Sequence, residues 1–129
     1  MHHLFKNKLI QFSRKVFISL CILLLSTSVS NAAHYDGQCF TELNAVELAV
    51  ENANFVGKRA ETNRSNLLAK LEAANAKITL LKYSDAVDKL TDISGAATTL
   101  ANAPKQKLED ATDINNATTN AISCTGALL

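Results

Sequence analysis

The stretch Asn66-Leu67-Leu68-Ala69-Lys70-Leu71-Glu72-Ala73-Ala74-Asn75-Ala76-Lys77-Ile78-Thr79-Leu80-Leu81 decides the fold. Leu67, Leu68, Leu71, Ala74, Ile78 and Leu81 recur at spacings of three and four, which draws one apolar stripe down a helix. The residues between them are mostly Ala, Lys, Glu and Asn, and no alternation of β-branched residues competes for a strand. The reading places a helix over roughly Arg64 to Leu81. Downstream, Lys82-Tyr83-Ser84 is a tight turn with Ser84 as N-cap. A third helix then carries Val87, Leu90, Ile93, Ala97 and Leu100. Asn102-Ala103-Pro104 breaks it, and Pro104 suits the first turn of a fourth helix bearing Leu108, Ala111, Ile114, Ala121 and Ile122. Upstream, Thr41 or Cys39 caps a first helix striped by Leu43, Val46, Val50 and Ala53. Gly57 or Glu61-Thr62-Asn63 ends it.

Four such helices joined by short connections form an all-α, antiparallel up-down bundle. Alanines on the stripes (Ala45, Ala49, Ala73, Ala97, Ala117) imply close helix approach and a thin core. The single domain covers residues 33–129.

The segment before it is a targeting sequence. Lys6, Lys8, Arg14 and Lys15 precede the apolar run Val16–Leu25, and Ser26 to Ala33 then turns small and polar. Charge, apolar core and small residues in that order form a cleavable signal peptide over residues 1–32. Cleavage follows Ala32, with Ser30 at −3, or alternatively Ala33. The competing reading, an uncleaved anchor, meets an apolar run short of the roughly 20 residues of a span. Leu20 before Cys21, inside the apolar core, does not suit a lipoprotein site. The basic residues of this segment leave with it and no acidic one does. Thirteen basic and twelve acidic residues therefore become nine and twelve, a net charge of −3. Such a chain is ill suited to nucleic acid or an anionic membrane as primary partner.

Cys39 and Cys124 remain, one near each end of the domain. An oxidising compartment makes them a natural pair, and an up-down bundle brings the start of its first helix beside the end of its last. Bundle and Cys39–Cys124 disulfide thus predict each other.

Leu67-Leu68-Ala69-Lys70-Leu71-Glu72-Ala73-Ala74, followed by Lys82-Tyr83, Asp85-Ala86, Lys89-Leu90 and Ile93, resembles a helical-hairpin module of bacterial secreted proteins, the FIVAR/FIMAH type. The likeness covers roughly residues 63–124, with Ala111, Ile122 and Cys124 in its closing helix. It rests on spaced Leu, Ala and Lys, and the turn lacks the usual Gly. The resemblance implies a non-catalytic, extracytoplasmic interaction or spacer role and carries over no active-site residue.

The chemistry of the chain points the same way. His34 is the one histidine left after cleavage, so no Ser-His, Cys-His or two-histidine copper arrangement can be assembled. Neither remaining cysteine sits in a Cys-x-x-Cys motif, and there is no Gly-rich phosphate loop. No catalytic, metal-binding or cofactor-binding residue is expected, and no cofactor. Asp85, Asp88 and Asp92 share one face of the third helix, a weak cation site, a docking stripe or, more often, a solvated surface balanced by Lys82 and Lys89. Phe55 and Tyr83 meet at one pole of the bundle, as an aromatic patch or as core plugs. The expected function is an exported interaction or structural module, periplasmic or secreted, whose partner is a protein or cell-envelope component. The alternatives are a carrier holding an apolar ligand in a pocket lined by Phe40, Phe55, Leu68 and Ile93, or an inhibitor of a secreted enzyme.

Overall fold

Spacings of three and four with a single proline leave the backbone free to satisfy its own hydrogen bonds in helices, and among the described residues it does so four times. The computed structural model describes residues 34–129, and the signal peptide read over residues 1–32 lies outside them. The helices are α1 (Phe40–Asn52), α2 (Ala60–Thr79), α3 (Tyr83–Ala101) and α4 (Thr112–Gly126). They run up, down, up, down in a closed ring in which α1 packs on α2, α2 on α3, α3 on α4 and α4 on α1. Among the described residues no helix is long and apolar enough to cross a membrane.

The stripes supply most of the core, with Ala53, Leu68, Val87, Leu100 and Ile122 half-buried and Leu81 exposed. Leu43, Val46 and Val50 of α1, Leu67, Leu71, Ala74 and Ile78 of α2, and Ala86, Leu90, Ile93 and Ala97 of α3 are buried. On α4 the buried stripe is half polar: Ile114, Thr118, Ala121 and Thr125. Thr118 Oγ1 donates to Ile114 O at 2.6 Å, whereas the buried Thr125 hydroxyl has no hydrogen-bond partner among the described residues. The α3–α4 seam also carries a polar chain, with Ser94 Oγ donating to Asn115 Oδ1 at 2.8 Å and Asn115 Nδ2 to Thr98 Oγ1 at 3.1 Å.

The helix ends differ from the sequence expectation in instructive ways. The helix read from Arg64 to Leu81 starts a turn earlier, so Glu61-Thr62-Asn63 lies inside α2. Its C-terminus closes with Leu81 N–H donating to Ile78 O at 2.9 Å and Lys82 N–H to Lys77 O at 2.8 Å. That is the Schellman pattern, which needs a left-handed residue after the helix, and Leu81 supplies it at φ 61°. Because this closure uses residues 81 and 82, α3 begins at once with Tyr83, and Ser84 is a helical residue rather than the cap. Cys39 precedes α1 at φ 59° without capping it through its side chain, and Thr41 is already helical.

The fourth helix begins at Thr112, not near Pro104. Leu108 is fully buried outside any helix, in an extended bridge with Phe55 from the α1–α2 loop. Val56 N–H donates to Lys107 O and Glu109 N–H to Asn54 O, both at 3.0 Å, so the two long loops are joined. The Asp110 carboxylate accepts the Thr112 N–H at 2.8 Å just before α4. Glu109 and Asp110 therefore precede the helix, and only Asp113 lies in its first turn. The Thr112 hydrogen bonds hold the Asp110 carboxyl below its ordinary pKa.

Candidate functional site

The up-down path separates the chain's unusual residues into two ends. One end holds the start of α1, the α2–α3 turn and the end of α4. There Cys39 and Cys124 form a disulfide, with Cα atoms 5.9 Å apart across a separation of 85 residues. Glu42 lies close enough to make a three-ligand group with the two sulfurs, but sulfurs bonded to each other are not thiolate ligands. Tyr83 is at this end too, its hydroxyl donating to Gln38 Oε1 at 2.7 Å.

Phe55 is at the other end. It is buried beneath the joined loops, with the Arg64 guanidinium 5.0 Å from its ring centroid. Arg64 is held in turn by Glu61 and by Ala53 O, the latter at 3.0 Å. The expected meeting of Phe55 and Tyr83 at one pole does not occur, because α1 and α2 carry Phe55 to the pole opposite the α2–α3 turn. Phe55 is a core plug. By the same geometry Phe40 and Phe55 flank a helix about 20 Å long, so Phe40, Phe55, Leu68 and Ile93 do not line one pocket.

Asp85, Asp88 and Asp92 are all exposed on α3 and do not converge into a ligand cluster. Their balancing cation differs from the expectation. Asp85 Oδ2 lies 3.9 Å from Nζ of Lys77 on α2, and Lys82 and Lys89 form no ion pair among the described residues. An exposed pair at that distance contributes little stability.

Two features escaped the sequence reading. The first is Tyr35, which precedes α1 yet is only 3 % exposed. Its main chain is clamped to α1, the N–H donating to Asn44 Oδ1 at 3.0 Å and the carbonyl accepting from Asn44 Nδ2 at 2.9 Å. Its hydroxyl donates to Glu72 Oε1 on α2 at 3.1 Å. Tyr35 thus straps α1 to α2, the least closely packed seam of the ring. Burial, and then the nearby Glu72 carboxylate, raise its phenol pKa well above the ordinary value of 10.0. The folded state then holds the phenolic proton more tightly than the unfolded chain. Stability from this group is complete below pH ~10 and is lost as pH rises toward the folded pKa. Urea titrations should show stability falling above pH ~10 by up to about 1.4 kcal/mol per pH unit. Tyr35→Phe should flatten that part of the fall, and an unchanged profile contradicts the assignment.

The second is the α2–α3 turn itself. Leu80 and Leu81 are 61 % and 68 % exposed, and Leu81 occupies a backbone region that L-residues other than Asn and Asp rarely visit. The missing turn glycine was visible in the sequence as a departure, but its consequence was not, since periodicity alone placed Leu81 on the apolar stripe. No family model, curated protein or solved structure matches this chain.

Proposed function

We propose that this chain is an exported, non-catalytic interaction module, working in the periplasm or outside the cell, and that the Leu80–Leu81 turn is part of the surface it offers to a protein partner. The observation that carries the reading is Leu81. Gly is the ordinary residue at a Schellman C′ position, because it has no Cβ to strain. Here a large apolar side chain is held in the strained conformation and presented to solvent beside a second exposed leucine. Backbone strain retained at an exposed apolar residue supports a functional role over a packing one. Lys82 beside the pair has no ion pair among the described residues, so the complementary surface is apolar with an acidic rim. Export is supported by the charge, apolar core and small-residue order of residues 1–32 and by a disulfide suited to an oxidising compartment. The resemblance to secreted helical hairpins supports a non-catalytic role.

A photoreactive leucine analogue at position 81, introduced into the full chain in its own host, tests this reading. One predominant protein adduct is expected at position 81 and none at position 92 on α3. Leu81→Gly relieves the left-handed strain, about 1–2 kcal/mol, against a Gly entropy cost of about 0.4–1 kcal/mol. Stability should therefore rise by about 0.5–1 kcal/mol while partner binding is lost. Absence of an adduct, or retained binding by Leu81→Gly, overturns the docking surface. A full-length intact mass, in place of a chain starting at Ala33 or His34 less two hydrogens, overturns the cleaved export signal.

A further inference from the structure

The end of the bundle remote from the disulfide carries a feature that the interaction reading does not use. Between the α1–α2 loop and the α3–α4 loop lies a cleft of about 470 Å³. Lys58 and Arg59 line it from one loop, and Lys105 and Lys107 from the other. Four of the nine basic residues that follow the signal segment thus surround one cavity, in a chain whose net charge there is −3. No acidic residue lines it. Three acids at this end are engaged elsewhere: Glu61 holds Arg64, Glu109 accepts from Asn54, and Asp110 accepts from Thr112; Asp113 lines a separate cleft. Glu109 and Asp110 line a different cleft, next to α4. The α3–α4 loop therefore turns its basic stretch to one side and its acidic stretch to the other. None of the four cations has an ion-pair partner among the described residues.

Four cations around one cleft with no acid among its lining residues make it a region of positive potential. The loops are not free to separate, because Val56 N–H bonds to Lys107 O across the cleft and Phe55 bridges Leu108 beneath it. Gly57, at φ 91°, makes the turn that sets Lys58 and Arg59 on the rim, and an added Cβ there would meet nothing within 4 Å. A second observation points to a ligand. Asn63 lines the same cleft, and its buried Nδ2 has no hydrogen-bond acceptor among the described residues. A turn of that amide about χ2 offers the donor to a bound oxygen.

We infer that this cleft is a binding site for a compact polyanion, a ligand bearing two or more phosphate-type charges on a body small enough for the cavity. Lysine and arginine heads bind such oxygens by charge-assisted hydrogen bonds. The net negative charge of the rest of the domain and the acids beside the cleft disfavour an extended polyanion, which would have to run past them. The site is independent of the Leu80–Leu81 surface at the opposite end, and either can fail without the other.

The probe is inorganic pyrophosphate, titrated into the disulfide-bonded protein and followed by amide NMR. Saturable shifts are expected at Gly57, Lys58, Arg59 and the Asn63 side-chain amide, weakening as salt is raised. The double variant Lys58→Glu/Lys105→Glu should lose at least tenfold in affinity. Lys70→Glu/Lys89→Glu, which makes the same change in net charge away from the cleft, should retain it. These loop positions are exposed, and an unchanged spectrum of the core confirms folding of each variant. Equal losses in both double variants, or no saturable shift with pyrophosphate, overturn the proposal. Binding of dextran sulfate without pyrophosphate overturns its claim of a compact ligand.

Discussion

Removing the disulfide, as Cys39→Ser/Cys124→Ser, is expected to cost about 4–5 kcal/mol of folding stability. The loop it closes spans 85 residues, and chain-entropy reasoning for a loop of that length gives this magnitude. A domain of this size has about 5–15 kcal/mol in total, so the variant should approach the edge of folding. The effect acts mainly on the unfolded chain. Urea unfolding of the variant should therefore show a lower midpoint and a steeper slope, as the freed unfolded state exposes more surface. Amide spectra of the folded variant should remain close to those of the oxidised protein. A Cys39→Gly/Cys124→Ser variant separates a local term, because Cys39 is itself left-handed at φ 59°. Glycine there should recover up to about 1 kcal/mol relative to serine. A loss below about 1 kcal/mol in the serine variant contradicts the chain-entropy account.

The second large effect is expected from Tyr35→Ala, at about 3–4 kcal/mol. The buried ring fills the seam between α1 and α2, and replacing a buried aromatic by alanine costs about 3–5 kcal/mol. The seam lies at the surface and can partly close, which favours the lower part of that range. Tyr35→Phe separates packing from hydrogen bonding. It keeps the ring and removes the hydroxyl's bond to Glu72, for which about 1 kcal/mol is expected because Glu72 is exposed. Thermal or urea unfolding checks both. Equal destabilisation by the two variants places the effect in the hydrogen bond rather than in the ring. Hydrogen exchange adds a spatial readout, since Tyr35→Ala should deprotect α1 before α3.

The bundle was legible because its information is local. Leu67, Leu71, Ala74 and Ile78 follow the helical period, and burial on one side follows from that alone. The disulfide was legible because topology and cysteine positions each implied the other. What the sequence concealed depends on partners distant along the chain. Leu108 continues a plausible helical stripe, and nothing nearby reveals that Phe55, 53 positions earlier, pulls it into an extended bridge. Tyr35 lies outside every periodic segment, and its burial depends on Asn44 and Glu72 together. The aromatic pairing of Phe55 with Tyr83 misjudged which pole each helix end reaches. Ser84 has the chemistry of an N-cap, yet the Schellman closure at Leu81 and Lys82 started α3 before it. The basic cleft could not be read either, since Lys58 and Arg59 are far in sequence from Lys105 and Lys107.

Because Cys39 and Cys124 lie at the outer ends of α1 and α4, every connection between helices falls inside one covalent ring. A protease that cuts the exposed Leu80–Lys82 turn would sever the polypeptide without separating its parts. The two hairpins, α1–α2 and α3–α4, would stay tethered at a high effective concentration and remain docked. A nicked molecule should elute as one species and run as one band without reductant, then divide into two fragments once thiol is added. While the disulfide is intact, backbone continuity and molecular integrity are separate properties of this protein.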